Sequence, residues 1–194
     1  MPDTFKPDNY TPAYASVALW EILKNDSQRL QEVNEECGHI IKTIIQRAKL
    51  SLREVETLSR HFEIYQVLSQ SGIGPEKIFG YSLYRTLGVM LYSLNRPLAL
   101  SYLDNSVDAE STIKTLGFEY LSYDEDIYSV DNTEYAIYGI VLDYIDATSP
   151  FFIKDDETRK KWTEHATYSF FQKGLNTVPP RKLVSSAIEV LMLN

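Results

Sequence analysis

Cysteine occurs once in this 194-residue chain, at Cys37, and histidine only three times. A lone cysteine excludes an intrachain disulfide framework and any cysteine-rich zinc cluster, so a reducing, cytoplasmic setting is expected. Long apolar runs are also missing. The most hydrophobic stretch, 78–94, falls short of the roughly 20 residues that a membrane span requires and is interrupted by Arg85. The first ten residues lack the basic and then apolar regions of a secretory signal; they are read as an N-terminal arm, 1–10, ahead of a single helical domain, 11–194. The chain has no Gly-x-Ser-x-Gly elbow, phosphate-cradling glycine loop, dinucleotide fingerprint or His-Glu-x-x-His helix, so a nonenzymatic role is expected. Eight glycines and eight prolines exclude fibrous and low-complexity classes.

Positive charge is scarce in one place. The chain carries 27 acidic against 19 basic side chains, for a net charge of −8, yet residues 1–100 are balanced at 11 of each sign. Residues 101–157 hold 14 Asp and Glu against two Lys. Such an imbalance disfavours nucleic acid, whose affinity rests on phosphate neutralisation by Lys and Arg, and it favours a protein partner with a basic surface. No membrane partner is expected, and homo-oligomerisation is compatible with the composition. The densest part runs from Tyr120 to Tyr135 and interleaves carboxylates with tyrosines, which offer large contact area for few rotatable bonds. Tyr120, Tyr123, Asp124, Glu125, Asp126, Tyr128, Asp131 and Glu134 are therefore the candidate partner-contact residues. A plainer explanation competes for part of this stretch, because Asp104, Asp108 and Asp131 stand at helix entries and Tyr135, Tyr138 and Tyr144 suit a core face.

The hydrophobic spacing predicts an all-α bundle of about seven to nine helices. Leu30, Val33, Cys37, Ile40, Ile41, Ile44, Ile45 and Ala48 form one stripe of a helix over 27–49. Ser51 and Glu54 are spaced as a capping box for the next helix, with Leu52, Val55, Leu58, Phe62, Tyr65 and Leu68 turned inward and Gly72 expected to close it. A nearly all-apolar central helix is expected over 75–94, opened by Pro75, with Gly80 and Gly88 allowing a tight crossing. Shorter helices follow from Pro97, over 107–116, after Asp131, from Asp155 to about Lys173, and from Pro180, the last burying Leu183, Val184, Ala187, Ile188 and Leu191. Residues 118–131 lack a period and read as an irregular or extended segment. This element order is compatible with several architectures, globin-like packing among them, although a haem site lacks an axial histidine between His61 and His165.

Two further constellations carry chemistry. Arg85 is the sole charge on the central helix and requires a carboxylate, a carbonyl or an anionic ligand; with Tyr81, Tyr84 and Tyr92 it defines an alternative small-molecule pocket. Glu36 and His39 have the Glu-x-x-His spacing of di-iron bundles and make a helical metal-dependent oxidase the second alternative function, but the other histidines follow Leu58 and Trp162 at the same offset, so the second copy is missing. No metal site or cofactor is expected. Asp124, Asp126 and Glu134 do not form a calcium loop, because Tyr128, Ser129 and Tyr135 occupy its fifth, sixth and twelfth positions. Cys37, inside an apolar stripe, reads as a packing residue.

Overall fold

The computed structural model describes residues 12–69, 72–74, 78–121, 132–144, 149–151, 156–170 and 178–193. Among them the fold is all-helical: α1 (Pro12–Asn25), α2 (Gln28–Arg47), α3 (Leu52–Leu68), α4 (Phe79–Leu94), α5 (Arg96–Ser101), α6 (Ala109–Thr115), α7 (Asn132–Val141) with a 3-10 turn over Leu142–Tyr144, α8 (Asp156–Phe170) and α9 (Pro180–Met192). No strand occurs in the described residues.

The starts of α2, α3, α5 and α6 follow from side chains that satisfy otherwise unpaired first-turn amides. Ser27 accepts from Leu30 N, Asn95 from Leu98 N and Asp108 from Glu110 N. At Ser51 the expected capping box is complete: the hydroxyl accepts from Glu54 N at 3.3 Å, and Ser51 N donates to the Glu54 carboxylate at 2.7 Å. The α2 stripe is buried from Leu30 to Ile45, with Cys37 within it, while Ala48 lies at the C-cap and is half-buried. Burial pushes the Cys37 thiol up to about 12, against a weaker opposing contact from the Thr86 hydroxyl. The face assigned to α3 is correct at Val55, Leu58, Phe62 and Tyr65 but not at Leu52 and Leu68, which are exposed at the two helix ends. The helix ends at Leu68, short of Gly72. α4 begins at Phe79, and Pro75 lies outside the described residues.

α4 is the central element, packed on α2, α3, α5 and α9, and most extensively on α9. The two run in the same direction: Val178 N donates to the Tyr81 hydroxyl at one end, and the Tyr92 hydroxyl donates to Leu191 O at the other. Between these contacts the backbones approach at Gly88. A Cβ there would lie 2.7 Å from Val184 O and 2.8 Å from Ala187 Cβ, so the tight crossing expected from the sequence is present at this glycine. All five inward residues predicted for α9 are buried.

α1 is the helix with no sequence prediction. It buries Trp20, whose indole donates to Asn34 Oδ1 at 3.1 Å and meets Phe62 edge-on at 5.8 Å. Ser16 donates to Leu50 O, tying α1 to the turn that follows α2. A single continuous core extends from Trp20 to Leu191.

Candidate functional site

The acidic segment is approached from both sides by well-packed backbone, and both flanks meet the C-terminal end of α2. α2 closes with paired backbone bonds, Leu50 N to Ile45 O and Lys49 N to Gln46 O, with Lys49 in the left-handed region at φ 52°. α6 closes in the same way, Phe118 N to Ile113 O and Gly117 N to Lys114 O, with Gly117 at φ 87°. The two helix ends are pressed together: a Cβ on Gly117 would stand 2.3 Å from Ala48 N and 2.5 Å from Arg47 C. Glycine is therefore required twice at that position, for its φ and for the approach.

Arg47 occupies the junction. Its guanidinium lies 4.4 Å from the centroid of Phe118, on the incoming flank, and 3.7 Å from the Glu134 carboxylate, on the outgoing one. Beyond Phe118, Glu119 and Tyr120 face water, with Tyr120 47% exposed, while Leu121 is buried and its amide donates to Phe151 O at 2.7 Å. On the far side Thr133 is fully buried and Glu134 is 8% exposed. Tyr135 and Tyr138 follow into the core, packing on Trp162 at 4.6 and 5.0 Å between centroids. Part of the tyrosine content is thus core aromatic packing, as the competing explanation required.

Of the eight candidate contact residues, Tyr120 is exposed, whereas Glu134 is turned inward against Arg47. Its place on α7 puts it on the buried side of the helix entry, where it fixes the flank and is withdrawn from a contact surface. Tyr123, Asp124, Glu125, Asp126, Tyr128 and Asp131 lie outside the described residues. Nearby carboxylates at Asp104, Asp108 and Glu119 are exposed. Asp108 is held below the usual carboxylate range, chiefly by the Ser111 hydroxyl that donates to it and further by the Glu110 and Ser111 amides and Lys114. Tyr144 is half-buried; its hydroxyl accepts from Arg181 at 2.7 Å and donates to Asn105 O at 3.3 Å.

The alternative pocket residues are carried to three separate places. Arg85 donates to Gly72 O at 3.3 Å, so it meets a backbone carbonyl in the α3–α4 connection, and it stacks 5.8 Å from the Tyr81 ring. Tyr84 is fully buried against Phe170 and Gly139. Tyr92, 11 residues from Tyr81 and so about 16 Å along the helix, bonds to Leu191 and lies between His61 and Arg96. Glu36 is half-buried and His39 exposed, so the pair does not project together into the bundle as a di-iron site requires. Among the described residues no three His, Cys, Asp or Glu side chains gather as metal ligands, and no helix is long and apolar enough to cross a membrane.

Arg47 and Gly117 are the site residues that sequence reasoning missed. Gly117 directly follows the helix expected over 107–116 and reads in sequence as no more than a helix end. Arg47, in the last turn of α2, is indistinguishable in sequence from an arginine complementing the helix dipole. No family model, curated protein or solved structure matches the chain, and globin-like packing has no structural neighbour to support it.

Proposed function

We propose that this chain is a nonenzymatic protein-interaction or regulatory module that presents an acidic, tyrosine-rich segment to a basic partner in the cytoplasm. The observation that supports it is the fixing of both flanks of residues 122–131 at the end of α2, with Arg47 touching Phe118 before the segment and Glu134 after it. Bringing two separated points of a chain together costs entropy, and the packing of Phe118 and Glu134 on the end of α2 bears that cost at folding. A partner then meets a segment whose ends are already in place, which leaves less ordering to oppose binding. The concentrated negative charge of residues 101–157 would accelerate encounter with a basic surface and disfavour acidic ones.

The test is binding of a fluorescently labelled, Lys/Arg-rich peptide, followed by anisotropy over a range of salt. Reversing Asp124, Glu125 and Asp126 to lysine is expected to abolish most of the binding and flatten its salt dependence. The same reversal at Glu32, Glu35 and Glu36 on α2 is expected to leave it largely intact. Equal losses from the two triple variants would reduce the effect to net charge and refute the proposed docking segment.

A further inference from the structure

Positive charge gathers around His61 without a carboxylate to neutralise it. His61 sits half-buried on α3 with Nδ1 2.9 Å from Ser93 Oγ on α4, and that hydroxyl donates to Val89 O at 2.7 Å. A serine hydroxyl has one proton. With it committed to Val89, the His61 bond requires Nδ1–H as donor, which leaves the lone pair of the neutral ring on Nε2. Tyr92 anchors the arrangement: the imidazole meets its ring edge-on at 5.4 Å, and the Arg96 guanidinium lies 5.2 Å from the same ring. Arg60 adjoins His61 on the exposed side of α3.

In this acidic protein, Lys24, Lys42, Arg47, Lys114 and Lys161 each meet a carboxylate. Among the described residues Arg60 and Arg96 do not, and neither do Arg29, Lys49, Arg53, Lys160 and Lys182; Arg60 and Arg96 are set apart by lying beside His61, Arg60 next to it on α3 and Arg96 over the Tyr92 ring that the imidazole meets. The nearby acids are accounted for. Glu54 is held in the Ser51 capping box, while Glu56 and Glu63 project roughly 140 to 160° around α3 from His61 at 100° per residue. On α9 the Leu191 carbonyl is taken by the Tyr92 hydroxyl, and Glu189 is exposed. The charged groups that act on the ring are Arg60 and Arg96, which add to burial in holding its pKa below the ordinary histidine value.

We propose that Arg60, His61 and Arg96 form a binding site for a small phosphate-class oxyanion, whose binding is coupled to uptake of one solvent proton at His61 Nε2. Guanidinium groups match phosphate oxygens in paired, planar hydrogen bonds, and a bound dianion reverses the local field that opposes imidazolium formation. The site is separate from the acidic segment and stands whether or not that segment docks a partner.

The test is an NMR titration of the histidine rings in the full chain, at matched ionic strength, in chloride, inorganic phosphate and glycerol phosphate. Phosphate is expected to raise the His61 pKa by about one unit, equivalent to about tenfold tighter binding to the protonated ring, with little change at His39. In the R60Q/R96Q double variant the pKa is expected to rise in chloride, because the repulsion is removed, and no longer to respond to phosphate. Both arginines are exposed, so the variant should fold; an unchanged amide spectrum checks this, and R53Q serves as the control for loss of a cation from α3. A response to both phosphates assigns a monoester-class ligand, and a response to inorganic phosphate alone assigns the free ion. An unchanged His61 pKa in phosphate, an equal shift at His39, or a shift that survives in R60Q/R96Q would overturn the proposal.

Discussion

Replacing Gly88 with alanine sets two effects of known sign against each other. Alanine is favoured over glycine inside a helix by about 1 kcal/mol, so on an open surface the change stabilises. At Gly88 the new methyl would lie 2.7 Å from Val184 O, 2.8 Å from Ala187 Cβ and 3.2 Å from Val184 Cα. Two of these three atoms belong to the backbone of α9, so no rotamer change removes the clash, and the helices must separate along their whole shared face. Overpacking of this kind costs about 1–3 kcal/mol, and the rigid neighbour places Gly88→Ala in the upper part of that range. Net destabilisation of about 1–2 kcal/mol follows, which for a domain of this size lowers Tm by about 2–8 °C. Far-UV circular dichroism during thermal and urea unfolding measures it. Gly74→Ala is the control, since nothing lies within 4 Å of a Cβ there, and it should be neutral or slightly stabilising. A Gly88→Ala protein that melts at or above the wild-type temperature would refute the close approach of α4 and α9.

Three further outcomes are expected. Arg47→Ala removes the contact with Phe118 and the ion pair with the largely buried Glu134, and should cost about 1–2 kcal/mol, since solvent screens a pair whose arginine is about half exposed. A double-mutant cycle with Glu134→Gln should return a favourable coupling of about 0.5 kcal/mol or more, and zero coupling would remove Arg47 as the link between the flanks. Cys37 should resist thiol reagents in the native protein at mildly alkaline pH and react once the chain is unfolded in urea, because burial holds its pKa near 12; rapid native labelling would contradict the packing of α2. His61 titrates below its ordinary value of 6.5 in the folded state, so the unfolded chain binds more protons between the two values. Its contribution to stability is full above 6.5 and lost as pH falls through the folded pKa. His61→Gln, which keeps a donor for Ser93, should show a shallower loss of stability on acidification than the wild type, measured by urea unfolding across that window.

The features read correctly from sequence share one property: local chemistry determines them. The Ser51–Glu54 box, the α2 stripe and the inward face of α9 depend on spacing within one helix, and they appear where expected. α1 escaped because Tyr14, Val17, Leu19, Trp20, Ile22 and Leu23 are apolar on both sides of the helix, which erases the periodic contrast. Leu52 and Leu68 were misplaced because a helical pattern says nothing about where its neighbours end. Residues whose role is tertiary were harder still. Glu134 resembled a surface carboxylate until α2 brought Arg47 beside it, and Tyr92 resembled a pocket wall until α9 supplied an acceptor for its hydroxyl.

The pairing of α4 with α9 has a consequence for the order in which the molecule can be assembled. The Tyr92–Leu191 hydrogen bond joins residues 99 positions apart, and the most extensive helix–helix interface of the fold depends on the same pair of segments. During synthesis the apolar groove beside Gly88 emerges long before the helix that fills it. A contact across so long a separation cannot form until the later helix is available, and unfilled apolar surface invites association in the interval. Nascent chains lacking α9 should therefore be protease-sensitive and bound by chaperones, with protection arriving in one late step once α9 can dock.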